Sequence, residues 1–273
     1  MKKHLSTIFL ILVLLIGLSL LLYPTFSEYW NSFHQTRAIA SYTETVTEMD
    51  NETYDQVWAD ARAYNAALFE KPVRFYMSDE EIAWYESLLN VGGNGIMGYI
   101  EIPRINCTLP VYHGTDEAVL QVAIGHIEGS SLPTGGTGTH CVLSGHRGLP
   151  SAKLFTNLDQ MAAGDRFMLH VLDEVLTYEV DQILIVLPEE VEALEIDPEQ
   201  DYCTLVTCTP YGINTHRMLV RGHRVETVEE KAPVRVTADA VMIERQWVAP
   251  FVAVPVVLVL LIALGISTAR KRR

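Results

Sequence analysis

Basic residues are scarce in this chain. Its 273 residues include 20 Lys and Arg against 34 Asp and Glu, a formal charge of −14. Six of the basic residues sit at the ends: Lys2, Lys3, Arg270, Lys271, Arg272 and Arg273. Setting these aside leaves 14 basic against 34 acidic residues, a charge of about −20 for the portion between. That balance excludes capture of nucleic acid, or of an anionic surface, through bulk charge. It suits a lysine-bearing or cationic partner. Cysteine is also sparse: Cys107, Cys141, Cys203 and Cys208 are the only four. A chain of this length buries an adequate core without disulfide staples, so a disulfide framework is not required. Zinc knuckles are missing too. Cys141/His146 and Cys203/Cys208 share a five-residue offset, which is wider than the usual ligand spacing. Residues five apart on a strand face opposite sides, so no metal and no cofactor is expected. There is no internal repeat and no low-complexity segment.

The ends carry the long apolar runs. Leu5 to Leu22 is interrupted only by Ser6, Thr7, Gly17 and Ser19. Val248 to Ile266 is a second run of about the length a bilayer needs, and the basic tail follows it at once. Basic flanks stay on the cytoplasmic side. The expected layout is therefore an N-terminal transmembrane anchor over 1–23, an extracytoplasmic portion, and a C-terminal transmembrane helix over 247–267. Both termini, including the tail 268–273, are then cytoplasmic. Ala38-Ile39-Ala40 has the small-x-small pattern of a cleavage site. It lies well beyond the apolar core, after Trp30, Phe33 and Arg37, which favours an anchor over a cleaved signal. Pro250 and Pro255 would also suit a buried core helix, but the basic tail favours the membrane.

Between the runs, apolar residues from Ile39 to Leu68 recur at mostly three- and four-residue spacing. This predicts an amphipathic helical element over about 35–70, within an extracytoplasmic segment 24–97. From Gly98 the pattern changes to short runs rich in Val, Ile, Leu, Thr and Tyr, punctuated by Gly, Pro, Asn and Asp. Seven such runs start near Gly98, Thr108, His140, Arg166, Leu176, Cys203 and Met218. Many short strands imply a sandwich or closed barrel over 98–228, followed by a linker, 229–246. Short helices are expected at Glu117–Ala123 and Lys153–Leu158.

Two of these strands carry chemistry. Thr204-Leu205-Val206-Thr207-Cys208-Thr209-Pro210-Tyr211-Gly212 delivers Cys208 to a strand end before a turn, where a side chain is displayed at a rim. Arg217 stands nine residues further on, across a hairpin-like connection. Val142-Leu143-Ser144-Gly145-His146-Arg147-Gly148 presents His146 in the same manner. A nucleophile, a proton carrier and a fixed cation suffice for acyl transfer through a thioester. His146 is the favoured base and His216 the runner-up. His4, His34, His113, His126, His170 and His223 lack suitable companions. If the two strands are neighbours in register, Cys141 and Cys203 face each other as a buried thiol pair or disulfide.

The run from Thr204 to Gly222 resembles the active-site signature of sortases, specifically the pilin-polymerising class C. Leu143 to Phe155 resembles that class's histidine segment, and Gly98–Asn106 with Leu109–Thr115 resemble its opening strands. The resemblance implies a mainly-β fold, a closed eight-stranded sortase-type barrel, with an N-terminal helical element and two flanking transmembrane helices. It implies Cys208 as nucleophile on the Thr–Gly bond of an LPXTG-like sorting signal, His146 as general acid and base, and Arg217 as oxyanion and substrate holder. The acyl group then passes to a lysine of another pilin subunit. Thr207 is a candidate substrate-backbone contact. The implied partners are pilins with sorting signals and an acceptor lysine, together with membrane lipid.

One departure stands out. Class C sortases often carry an Asp-Pro-aromatic lid motif, whereas this chain reads Lys71-Pro72-Val73-Arg74-Phe75-Tyr76-Met77-Ser78-Asp79. No lid residue is carried over. Ser78 with Glu81 instead predicts a helix start with a capping box. Two other functions stay open: a sortase attaching proteins to cell-wall peptidoglycan, and a non-catalytic membrane scaffold that binds pilin tails. A caspase-like protease also places His before Cys, but the Gln-Ala-Cys environment is missing.

Overall fold

The β-branched runs become strands and the Gly, Pro and Asn clusters become their connections. In the computed structural model, which describes residues 2–227, eight strands close into a barrel in the order β1-β2-β3-β4-β7-β8-β6-β5. They are β1 Ile96–Ile102, β2 Cys107–His113, β3 Ile124–His126, β4 Thr139–Ser144, β5 Arg166–Val171, β6 Glu174–Val186, β7 Asp201–Thr209 and β8 His216–Val225. β5 pairs back onto β1 and completes the closure. Two pairings, β2 with β3 and β4 with β7, are parallel; the others are antiparallel. Closure leaves no free sheet edge for another chain to pair with.

Burial follows the pleat. β5 alternates, with Phe167, Leu169 and Val171 inward. β4 and β7 are covered on both faces, as parallel strands usually are. Their inner residues Cys141, Leu143, Cys203 and Leu205 join the barrel core. Their outer residues Val142 and Val206 join Leu194 and Leu219 in a second apolar cluster, against which Phe75, Leu184 and Val186 pack.

The expected helical element is two helices. α1 spans Lys2–Thr47, and its stretch from Ile8 is long and apolar enough to cross a membrane. α2 spans Asn51–Phe69. The chain breaks at Asp50, whose carboxylate accepts from Thr53 N at 2.8 Å and caps α2. Trp58, Ala61, Tyr64, Asn65 and Leu68 form the buried stripe of α2. Asn65 fixes its register on the barrel by donating to Leu132 O at 3.0 Å and accepting from Leu132 N at 2.8 Å. α3, Asp79–Ser87, begins with the predicted capping box: Glu81 N donates to Ser78 Oγ and Ser78 N to Glu81 Oε2. Its Tyr85 is fully buried and bonds His126 Nδ1 at 2.9 Å. α4 is one turn, Glu117–Leu120. The helix expected at Lys153–Leu158 is a run of turns ending in a 3-10 turn, Leu158–Gln160. The second apolar run and the basic tail lie outside the described residues. Residues from Asn31 to the end of the described chain form one compact unit.

Candidate active site

The candidate residues stand on two strands and on the loop after a third. In the antiparallel β7–β8 hairpin, Cys208 is the register partner of Arg217. In the parallel β4–β7 pair, Ser144 stands opposite Val206, and Gly145 N donates to Val206 O at 3.0 Å. His146 follows in the loop just beyond this pairing, two residues after Ser144, as Cys208 lies two after Val206. Successive side chains alternate between faces, so Cys208 and Arg217 share the outer face with Val142, Val206 and Leu219. The three candidates lie at the rim and are half-buried, with an apolar floor one step below.

Arg217 is held by its own turn, donating from Nη1 to His216 O at 3.2 Å and Asn214 O at 3.3 Å. Its guanidinium keeps further donors for an incoming oxygen. His216 pairs with Thr209 rather than Cys208. The pleat therefore turns it to the other face, where its Nδ1 lies 2.9 Å from Thr215 Oγ1. Thr207 is also on that other face. It is buried and donates to Gly145 O at 2.7 Å, so its hydroxyl proton is already engaged.

The loop carrying His146 fits closely. A Cβ on Gly145 would stand 2.5 Å from Ile124 Cδ1 and 2.7 Å from Phe155 Cδ2. Gly148 has φ +80° and its Cβ would meet the Tyr211 ring at 2.8 Å. Only glycine admits such approaches. Phe155 N returns to His146 O at 3.1 Å and closes the loop. Arg147 forms an ion pair with Asp159 and reaches Thr209 Oγ1 at 3.4 Å.

Deeper in the same strands the chemistry differs. Cys141 and Cys203 are register partners with free thiols, both buried in the core. Burial opposes a thiolate at either sulfur. At Cys141, hydrogen bonds from Cys203 and His126 outweigh that cost and draw its titration below the usual thiol range. At Cys203, the neighbour adds to burial and pushes the thiol well up. The pair thus carries at most one charge. His126, set aside on sequence, has a thiol and Tyr85 as companions, although both are in the core. Sequence separation hid that contact. Among the described residues no group of three or more His, Cys, Asp or Glu is arranged to hold a metal. A cleft of about 410 Å³ lined by Arg62, Asn65, Phe69 and Gly135 lies where β4 and β7 begin, at the far end from Cys208.

The paired thiol and guanidinium of Cys208 and Arg217 thus lie at the rim of a closed eight-stranded barrel, with the His146 loop following the adjacent strand. The chain belongs to the sortase family, and the sortase domain model matches residues 100–225. Sortase C1 of Streptococcus agalactiae is 51% identical, with a TM-score of 0.69, over 70% of this chain and 100% of that one. A sortase C of Clostridium perfringens, solved with the C-terminal cell wall sorting motif, is 43% identical, with a TM-score of 0.63, over 70% of this chain and 100% of that one. Sortase D of Bacillus subtilis is 31% identical over 47% of this chain and 63% of its own length. Both of these solved structures are named as sortases C.

Proposed function

We propose that the protein is a membrane-anchored cysteine transpeptidase that polymerises pilins. The observation that carries this reading is the register pairing of Cys208 with Arg217, with His146 in the loop that follows the neighbouring strand β4. In the proposed reaction the Cys208 thiolate attacks the Thr carbonyl of an LPXTG-like signal. The tetrahedral oxyanion is met by the Arg217 guanidinium, a permanently charged donor. Collapse breaks the Thr–Gly bond as His146 gives its proton to the leaving amine. A pilin lysine amine then attacks the thioester, His146 takes its proton, and the thiolate is released as the isopeptide bond forms.

Charge supports a lysine-bearing acceptor. Seven acidic residues lie between Glu189 and Asp201, in the β6–β7 connection and the first residue of β7. The apolar stretch of α1 supports anchoring by at least one helix. The test is covalent ladder formation by the full-length enzyme with a pilin bearing an LPXTG-like tail and an acceptor lysine. Ladders that disappear in Cys208→Ala support the reading. Transfer of the signal to peptidoglycan amines without ladders points to the cell-wall function, and wild type that neither cleaves nor transfers points to a scaffold.

A further inference from the structure

The residues on either side of His146 are bonded to the residues on either side of Cys208. Thr207 donates to Gly145 O at 2.7 Å, and Arg147 Nη1 donates to Thr209 Oγ1 at 3.4 Å. Thr207 and Thr209 both lie on the face of β7 opposite the one presenting Cys208. The parallel β4–β7 pairing ends at Ser144 opposite Val206, with one further bond from Gly145 N to Val206 O. Beyond it the loop with His146 leaves the ladder, and regular strand bonds no longer set its distance from β7.

We infer that Thr207 and Arg147 are positioning residues that hold the imidazole of His146 at the Cys208 thiol. This rests on the assignment of His146 and Cys208 as the reacting pair. Thr207 is suited to the task because it is buried at 2% exposure. In that setting a hydroxyl bonded to a backbone carbonyl is costly to lose. Arg147 is suited because its side chain is only 10% exposed and is fixed at three points. Asp159 pairs with its charge, Thr209 accepts from Nη1, and the Tyr211 ring lies 5.9 Å from its guanidinium carbon. Asp159 belongs to the 3-10 turn after the loop and Tyr211 to the β7–β8 turn, so Arg147 joins both walls of the site. Thr207, a candidate substrate contact on sequence, acts in this arrangement through His146 instead.

The test compares Thr207→Val, Thr207→Ser and Arg147→Lys with wild type in the full-length enzyme. Two readouts are taken: the rate at which iodoacetamide alkylates Cys208 at neutral pH, and kcat and KM on an LPXTG-like peptide. Misplacing a proton carrier by about 1 Å costs roughly 10–100-fold. The expected result for Thr207→Val is a fall of that size in kcat, with KM within about 3-fold and slower alkylation. Thr207→Ser restores the hydroxyl and both rates to within about 3-fold. Arg147→Lys keeps the charge but loses the forked reach, and is expected to lower kcat about 10-fold with KM unchanged. Arg147 is at the rim, so this variant decides the question if Thr207→Val fails to fold. A raised KM with wild-type kcat and alkylation would make Thr207 a substrate contact and overturn the inference. So would wild-type values in both Thr207→Val and Arg147→Lys. Alkylation needs no substrate, so altered alkylation in an enzyme inert to the peptide would sink the substrate assignment and leave the positioning intact.

Discussion

Cys203 and Cys208 stand five residues apart on β7, and His140 and His146 six apart along β4 and its continuation. The lower pair of positions is buried; the upper pair is at the rim. His140 donates from Nδ1 to Glu195 O at 2.8 Å and accepts at Nε2 from Thr204 at 2.7 Å. Burial lowers its titration to about 4, so it remains a neutral structural bridge. His146, beyond the strand end, is half-buried. The same residue types on the same two strands thus become bracing in one place and chemistry in the other. The difference is not identity but desolvation, joined for the two cysteines by the parity of the pleat.

That comparison breaks most sharply on the two cysteines. Cys208→Ala is expected to abolish ladder formation, whereas Cys203→Ala keeps activity within a few-fold and loses about 1–2 kcal/mol of stability to a small cavity. Equal loss of activity in both would mean the core thiol takes part. Native thiol labelling followed by peptide mapping sharpens the same point. Cys208 is expected to react at least ~10³-fold faster than Cys141 and Cys203, which require opening of the core. Comparable rates would mean the barrel opens readily. Arg217→Lys retains a charge but not the fork, and a loss of about 10²-fold in kcat is expected; a change confined to KM would remove it from the oxyanion.

The histidines supply the smallest effect. His140 titrates near 4 when folded against 6.5 when free. Between those values the unfolded chain binds the extra proton, so stability is fully present above pH 6.5 and falls as pH drops toward 4, by at most ~3 kcal/mol. His113, also lowered by burial, adds to this, while Asp201, raised by burial, opposes it. Urea midpoints at pH 7 and 4.5 should differ more in wild type than in His140→Gln. An equal difference would assign the acid sensitivity elsewhere.

Local signals read well wherever the chemistry was local. The Ser78–Glu81 capping box is present, because both bonds form within one turn. Seven strand runs lie within observed strands or overlap them closely, and the missed β3 has only three residues, too few for a period. The single helical element over 35–70 is broken at Asp50, since the apolar spacing continues through a cap that only its hydrogen bond reveals. Lys153–Leu158 reads as helix but forms turns, because the loop must return Phe155 to His146. The expected facing of Cys141 and Cys203 is observed as two free thiols in register.

The sequence by itself determined the class of fold, the family, and the three side chains offered for acyl transfer, because strand periodicity and long motifs are written along the chain. Tertiary structure alone decided that His216 lies off the face that carries Cys208, which cysteines are removed from water, and that Thr207 and Arg147 reach across to the opposite strand and loop. Those outcomes depend on register and burial, and both arise only when segments some 60 residues apart are brought side by side.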